Sequence, residues 1–230
     1  MGVDDWWIVR QVDRMSANPA RGPIRSKAIE KRQRILDATA SILVATGSTE
    51  FPLQDVANAV GIYTASIYYY FDSREELIRE VLLSSITQFH AQFSQSLAAL
   101  PAHCSPLDRL REAIRATVRI NASMDDYKRA YAFVLGQPGR LLDDAIRAQR
   151  TEIRRIWSKL LKEAKDAGQI ARDVDIDILR YVLTGATQWV SYWYRPEGPL
   201  SPDQVADAFA DLLLNGCLNG ASLRSSASGT

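Results

Sequence analysis

The sequence has little cysteine and histidine, and it contains no long apolar run. Its 230 residues include two cysteines, Cys104 and Cys217, which lie far apart and have no metal-ligand spacing. The two histidines, His90 and His103, lie near no cluster of acidic residues or cysteines of the kind that forms a catalytic site. Two thiols cannot build a disulfide framework, so a reducing compartment is the simple interpretation. We expect no metal site and no catalytic residue.

Other missing patterns narrow the class further. No stretch approaches the roughly 20 apolar residues that span a bilayer, and the start of the chain does not resemble a signal peptide. We therefore expect a cytoplasmic protein without a membrane partner. No phosphate-binding loop or dinucleotide fingerprint is present, so we expect no cofactor and no enzymatic activity. Runs of alternating apolar and polar residues with hairpin turns between them are missing as well, which argues against a β-sheet.

Charge is nearly balanced overall but unevenly placed along the chain. The formal net charge is +1, yet lysines and arginines, Lys27 and Lys31 among them, crowd residues 21–34, where Glu30 is the one acid. A basic segment on a near-neutral protein is the electrostatic footprint of a DNA-facing end. A solvated helix start is the alternative, and the segment alone does not decide between the two.

Helical periodicity runs through nearly the whole chain and predicts an all-α fold of about nine helices. Residues 1–24, with Trp6 and Trp7, are expected to form a flexible arm, and residues 221–230 a flexible tail. Between them we expect a three-helix unit over residues 25–73 and a helical domain over residues 74–220. The predicted helices span about 26–46, 53–60, 64–71, 126–135, 141–167 and 176–194, with others starting at the caps Ser73, Ser105 and Ser201.

Residues 53–71 have the pattern of two short helices that meet across a tight turn. Gly61 is expected at the turn with a positive φ, and Ile62 and Ile67 are expected to fill the shared core. The exposed start of the second helix is where a recognition helix meets base edges in the major groove. Three consecutive tyrosines at 68–70 cannot all face one core, so at least one should point outward. A helical hairpin without a DNA role is the alternative.

Residues 31–82 resemble the DNA-binding domain of TetR-family regulators. The landmarks are RILDATASILVATG in the first helix, LQDVANAVGI in the second, and SIYYYFDSREELI across the third and fourth. The resemblance implies a homodimeric transcription regulator, by family habit a repressor, that binds a double-stranded, palindromic DNA operator. Together with the basic segment, it gives these DNA-binding candidates: Lys27, Lys31, Gln54, Tyr63, Thr64, Ala65, Ser66, Tyr68, Tyr69, Tyr70 and Arg74.

Two positions depart from the pattern of that family. Tyr63 replaces the small polar residue that caps the recognition helix, which leaves the cap unexplained and makes Tyr63 a candidate DNA contact. Pro52 lies where the second helix usually has a serine or threonine cap, and we expect it to serve as a first-turn residue.

The last two predicted helices suit a four-helix dimer seam. Dimerisation has a mechanical reason, because one helix-turn-helix buries too little surface and two copies bind half-sites about one helical turn apart. Burial of the same residues within one subunit is the alternative. The predicted interface residues are Leu183, Ala186, Val190, Trp193, Phe209, Leu212 and Leu213.

The larger domain is rich in aromatic residues, which favours a pocket for a small apolar effector. Ordinary core packing is the alternative for any one of these residues. Arg154 and Arg155 are candidates to meet an anionic group, with an exposed helix face as the alternative. The predicted pocket residues are Tyr127, Tyr131, Trp157, Thr184, Gln188, Trp189 and Tyr192.

The stretch WYRPEGPLSPDQVADAFADLLLNG resembles the tail of TetR-like regulators of lipid and steroid breakdown. That resemblance implies an acyl-CoA or a similar lipid-derived effector. We expect the effector to displace the helix that starts at Ser73 and so to spread the two recognition helices. The rival is a ligand-independent DNA-bound structural or cell-division protein of the same fold, and a stabilising ligand would distinguish the two.

Overall fold

The computed structural model describes residues 22–123, 125–136 and 143–216, with side chains from Lys27 onwards. Within these ranges the chain forms nine helices and no strand, which confirms the all-α prediction. Residues 1–21 of the predicted arm, with Trp6 and Trp7, lie outside the described residues, as do the predicted tail and Cys217. The last three residues of that predicted arm, 22–24, belong instead to the first helix, which begins at Gly22. The helices are α1 (Gly22–Thr46), α2 (Leu53–Val60), α3 (Thr64–Ile67), α4 (Arg74–Ala98), α5 (Pro106–Ala122), α6 (Asp126–Gly136), α7 (Asp144–Asp166), α8 (Ile176–Trp193) and α9 (Pro202–Asn215).

Serine caps fix where several of these helices begin. The Ser201 hydroxyl accepts the N–H of Gln204 at 3.2 Å, and the Gln204 side chain accepts the N–H of Ser201 at 2.8 Å, so the predicted capping box forms. At α4 only half of the predicted box forms. The Ser73 hydroxyl accepts the N–H of Glu76 at 3.1 Å, but the Glu76 carboxylate accepts the N–H of Asp72, one residue before the cap.

Two predictions about the ends of the short helices were wrong. The helix α3 ends at Ile67 rather than Phe71, because the N–H groups of Tyr70 and Phe71 both bond to the carbonyl of Ile67 and the chain tightens into a turn. Pro52 is the N-cap of α2 and not a first-turn residue, and its carbonyl accepts the N–H of Asp55 at 3.0 Å.

A continuous buried cluster joins the three-helix unit α1–α3, called the head below, to the helices behind it. It includes Ile35, Val56 and Ile67 from the head and Val81 from α4, and it extends to Ile146 on α7. A second cluster, centred on Phe93, Leu110, Ile114, Trp157 and Leu183, lies among α4, α5, α7, α8 and α9. The helix α4 contributes to both clusters, so it couples the head mechanically to the larger part of the fold.

Among the described residues, no helix combines the length and the apolar character that crossing a bilayer requires.

Candidate DNA-binding surface and effector cavity

Gly61 makes the turn between α2 and α3. Its φ of +74° lies in the left-handed region, and the N–H groups of Gly61 and Ile62 bond back to Asn58 and Ala57 at 3.2 and 3.0 Å. A Cβ added at Gly61 would meet no atom within 4 Å, so the backbone conformation and not the available space favours glycine. The predicted positive φ is confirmed.

The turn presents one polar and aromatic surface to solvent. The Thr64 hydroxyl donates to Gln54 Oε1 at 2.5 Å, and the Gln54 amide donates to Asn58 at 2.8 Å, so α2 and the start of α3 are linked side by side. Tyr63 lies just before α3, with 85% of its surface exposed. Its side chain makes no capping hydrogen bond, so the cap that the sequence left unexplained is absent.

The three consecutive tyrosines divide between solvent and core. Tyr68 and Tyr69 are 57% and 69% exposed, whereas Tyr70 packs against the buried cluster of the head. Tyr69 and Tyr70 meet edge to face with ring centroids 4.9 Å apart. Burial raises the pKa of the Tyr70 phenol, and its neighbour Tyr69 adds to the rise. Two of the three phenols are therefore available to a partner.

Two of the basic candidates lie on α1 and the third begins α4. Lys27 is exposed and Lys31 half-buried on α1. Arg74 pairs with Glu50 at 2.7 Å and with Glu75 at 3.2 Å, so in this structure its guanidinium is neutralised by two carboxylates. A phosphate contact by Arg74 would compete with these exposed ion pairs, which are individually weak.

A cavity of about 560 Å³ lies among α4, α5, α6, α7 and α8. Its apolar wall includes Ile86, Phe89, Ile153 and Trp157. The rings of Phe89 and Trp157 both stack on Phe93, at centroid distances of 5.7 and 5.8 Å. Polar groups also line it: Thr117, Asn121, Thr184, Thr187 and Gln188. Such a mixture suits a ligand that is largely apolar but carries a few polar atoms.

One wall of the cavity is strongly basic. Among the described residues that line it there is no acid, but there are five cations: Lys128, Arg147, Arg150, Arg154 and Arg180. The three arginines of α7 follow each other at helical spacing and therefore share a face. Arg150 and Arg154 form no ion pair with any described residue, while Arg147 pairs with Asp144 at 3.1 Å. Lys128 pairs with Asp125 at 2.6 Å, so the positive charge available to an anionic ligand is mainly that of Arg150 and Arg154.

Arg180 adds a further unmet donor to this wall. Its guanidinium lies 4.4 Å from the centre of the Tyr181 ring and 3.5 Å from Asp177, while its Nε is buried without a hydrogen-bond partner. A buried unpaired donor is costly, which favours a ligand atom at this position. The sequence analysis missed most of this basic wall. The helical spacing of Arg147, Arg150 and Arg154 was the available signal.

The structure brings four of the predicted pocket residues to the cavity wall and leaves three outside it. Tyr131, Trp157, Thr184 and Gln188 line the cavity, and so does Arg154. Burial raises the pKa of Tyr131 to about 12, against a small opposing effect of Arg150. Arg155, by contrast, points away and pairs with Glu152 at 2.6 Å.

The three residues outside the cavity have other partners. The Tyr127 phenol donates to Asp37 and accepts from Gln33, both at 2.8 Å, so it joins α6 to α1, and burial raises its pKa well above the usual range. Trp189 is 60% exposed and stacks on Tyr192 at a centroid distance of 4.8 Å. The helix turns by about 100° per residue, so Trp189 faces away from the cavity that its neighbour Gln188 lines.

The predicted dimer residues also divide between two environments. Leu183 and Val190 are fully buried against α5 within the subunit, which corrects their assignment to an interface. Ala186, Phe209 and Leu213 are half-buried, whereas Trp193 and Leu212 are exposed. The outward face of α8 instead carries Ile178, Val182, Trp189 and Trp193, called the α8 stripe below, each 41–63% exposed. These residues recur at helical spacing, so they form one continuous apolar face.

Comparison with known families accounts for both halves of this arrangement. Residues 35–81 match the family described as bacterial regulatory proteins, tetR family, and residues 103–217 match the tetracyclin repressor-like C-terminal domain. The chain belongs to the TetR family. Its head is therefore the helix-turn-helix DNA-binding part of a TetR-family transcriptional regulator, and the family resemblance found in the sequence is confirmed.

Relatives of this TetR-family regulator include proteins named HTH-type transcriptional repressors. The repressor KstR2 of Mycolicibacterium smegmatis is 29% identical over 199 residues, covering 83% of this chain and 92% of the relative. KstR2 of Mycobacterium tuberculosis is 27% identical over 192 residues, covering 81% and 92%. Both relatives are transcriptional repressors by name, and each match covers nearly the whole length of the relative.

Solved structures show the same fold. The ketosteroid transcriptional regulator KstR2 of Mycobacterium tuberculosis superposes with a TM-score of 0.69 at 24% identity, covering 82% of this chain and 95% of that one. AibR in complex with isovaleryl coenzyme A and operator DNA gives a TM-score of 0.69 at 20% identity, covering 80% and 98%.

Proposed function

We propose that this TetR-family regulator is a homodimeric repressor that leaves a palindromic operator when a coenzyme A thioester binds in its cavity. The observation that carries the proposal is the pairing of an apolar interior, built on Phe89 and Trp157, with a wall of arginines. Arg150 and Arg154 of that wall have no counter-ion among the described residues. A coenzyme A thioester has both complementary parts, an acyl group and several phosphates, and arginine recognises phosphate well.

The basic wall refines the effector expected from the sequence. A purely apolar molecule would leave the half-buried charge of Arg150 and the buried Nε of Arg180 without a partner. Relatives of the same fold support this chemical class of effector, because a structure of AibR contains isovaleryl coenzyme A and KstR2 is named a ketosteroid transcriptional regulator. The alternative, a DNA-bound protein without a ligand, leaves this cavity and the buried Nε of Arg180 unexplained.

Contact with DNA is proposed for the outer surface of the head. Thr64, Ala65 and Ser66 begin the recognition helix, where small side chains let the backbone approach base edges. Tyr68 and Tyr69 are exposed beside them and suit contacts to the phosphate backbone. Gln54 is already hydrogen-bonded to Thr64, so both side chains would meet the groove together.

A second copy of the chain is proposed to cover the α8 stripe. Four large apolar side chains at helical spacing form a self-complementary face when two α8 helices pack across a two-fold axis. Leu212 of α9, 75% exposed, extends the apolar surface to the neighbouring helix. The resulting four-helix seam would hold two heads at the spacing of operator half-sites.

Release of DNA is proposed to begin at α4. This helix contributes Ser85, Ile86 and Phe89 to the cavity and starts at Arg74, directly after the recognition turn. A ligand that fills the cavity would shift α4 and so change the separation of the two heads.

Two neighbouring arginines allow a matched test of the effector. We expect isovaleryl or octanoyl coenzyme A to raise the melting temperature and to weaken operator binding, with free octanoate much less effective. Arg154→Gln should weaken thioester binding about tenfold, because one charge-assisted contact is lost. Arg155→Gln, outside the cavity, should bind normally by calorimetry. The proposed effector is refuted by absence of thioester binding, or by equal losses in both variants.

A further inference from the structure

A chain of ion pairs connects the cavity helix α7 to the recognition turn. It consists of Asp143, Arg79, Glu80 and Arg32, called the Glu80 network below, and it ends on the ring of Phe71. Nothing in the proposed ligand or DNA contacts uses these residues.

The first link holds the start of α7. Asp143 is the N-cap of that helix and accepts the N–H of Ile146 on Oδ1 at 2.9 Å. Its other oxygen, Oδ2, accepts from Arg79 Nη1 at 3.0 Å. Both carboxylate oxygens are thus engaged, one by α7 and one by α4. Arg147, the first arginine of the cavity wall, lies one helical turn beyond this cap.

The middle of the network is a buried carboxylate. The Glu80 side chain is 2% exposed and accepts from Arg79 Nη2 on Oε1 and from Arg32 Nη2 on Oε2, each at 2.9 Å. Arg79 therefore uses Nη1 for Asp143 and Nη2 for Glu80, with Glu76 Oε1 at the longer distance of 3.7 Å from Nη2. A buried charge cannot lose a partner cheaply, so the members of the network should move together.

The last link reaches the recognition turn. Arg32 lies on α1, and its guanidinium carbon is 4.7 Å from the centre of the Phe71 ring. Phe71 is buried, and its N–H bonds to the carbonyl of Ile67, the last residue of the recognition helix α3. A cation over an aromatic face is favourable, so a displaced Arg32 would disturb Phe71 and the turn that presents Tyr68 and Tyr69.

We propose that the Glu80 network transmits occupancy of the cavity from α7 to the recognition turn, with Asp143 as its positioning residue. The proposal rests on the proposed effector response and adds a route beside the shift of α4. An anion that attracts Arg147, Arg150 and Arg154 would displace α7. Asp143 would then shift Arg79 and Glu80 through their ion pairs. Coupling of this kind requires that both sites bias the same element.

Asp143→Asn breaks the network with little damage to the fold, because asparagine is an equally good N-cap but cannot form the ion pair with Arg79. The matched control is Asp166→Asn, which removes the same charge from the far end of α7, where Asp166 pairs with Lys162 in solvent. Without any ligand, hydrogen exchange at the amides of Tyr70 and Phe71 should accelerate at least threefold in Asp143→Asn and remain unchanged in Asp166→Asn. Unchanged exchange in Asp143→Asn overturns the proposal.

The second measurement concerns transmission and uses octanoyl coenzyme A with a duplex selected from random sequence. We expect the thioester to weaken duplex binding about tenfold in the wild type and in Asp166→Asn, a usual size for allosteric coupling. In Asp143→Asn the weakening should fall below about threefold, while thioester and duplex affinities measured separately stay close to those of the wild type. Full weakening in Asp143→Asn refutes transmission. A wild type that binds no thioester refutes the proposed effector instead, and the exchange result then decides the linkage by itself.

Discussion

Adjacent residues of one type have opposite roles in the recognition turn. Tyr69 is exposed and Tyr70 packs on the core of the head, although the two rings touch. The division arises because α3 ends at Ile67 and the chain tightens there, which turns each following side chain to a different side. Identical chemistry thus serves recognition at one position and stability at the next.

Alanine at these two positions should separate the roles. Tyr69→Ala should weaken operator binding roughly five- to tenfold, the value of a lost hydrogen bond, and leave the melting temperature unchanged. Tyr70→Ala should lower the free energy of unfolding by about 2 kcal/mol, because packing against the core is lost. Fluorescence anisotropy with operator DNA and urea unfolding measure the two effects. Equal loss of stability in both variants would contradict the division.

Tyr131 gives stability a dependence on alkaline pH. Its folded pKa is about 12, raised by burial from 10.0, so between these values the unfolded chain holds fewer protons than the folded one. Stability from this phenol is complete below pH 10 and decreases as the pH rises toward 12, by on the order of 2 kcal/mol. Urea unfolding of Tyr131→Phe should show a smaller decrease than the wild type. Tyr181→Phe, at an exposed tyrosine of the same cavity, is the control.

At the scale of helices, a ladder of three ion pairs fastens α9 to α5. Arg111, Arg115 and Arg119 lie one helical turn apart on α5 and pair with Asp211, Asp207 and Asp203 on α9. The order of the partners shows that the two helices run antiparallel. Each pair is partly exposed, so each is worth less than about 1 kcal/mol, and the ladder serves mainly to fix the register of α9.

Reversing the charge of one arginine in this ladder should show how much its ion pair contributes to the register of α9. Arg115→Asp places an acid opposite three aspartates, and we expect a loss of about 1 kcal/mol in unfolding free energy at low salt, less at 1 M salt. The double variant Arg115→Asp, Asp207→Arg should recover part of the loss. A double variant no more stable than Arg115→Asp would show that the pair contributes nothing specific.

At the scale of the whole molecule, the proposed function depends on the α8 stripe. Trp189→Glu adds a charge to this exposed face, so the fold of the subunit should survive while the dimer dissociates at micromolar concentration. Operator affinity should then fall at least tenfold, since one head alone binds weakly. Leu200→Glu, an exposed apolar position outside the stripe, should remain dimeric. Light scattering measures the oligomeric state of both variants. A Trp189→Glu variant that remains dimeric would show that the interface lies elsewhere.

Much of the fold followed from local patterns, and much of the cavity did not. The caps at Ser105 and Ser201 and the turn at Gly61 involve residues three to five apart, so their geometry is encoded where they occur. The cavity wall combines residues from five helices. Tyr131 and Gln188 lie in that wall, but Tyr127 and Trp189, with equally suitable side chains, do not.

By itself the sequence determined the helical class, most helix ends, the recognition turn and the family, because these depend on periodicity and on short-range hydrogen bonds. The tertiary structure alone decided which face of each amphipathic helix meets which neighbour. That choice buried Leu183 and exposed Trp189 on the same helix, and it collected Arg150, Arg154 and Arg180 around one cavity. The rotation of a packed helix is set by contacts with residues distant in the chain, and no local pattern contains that information.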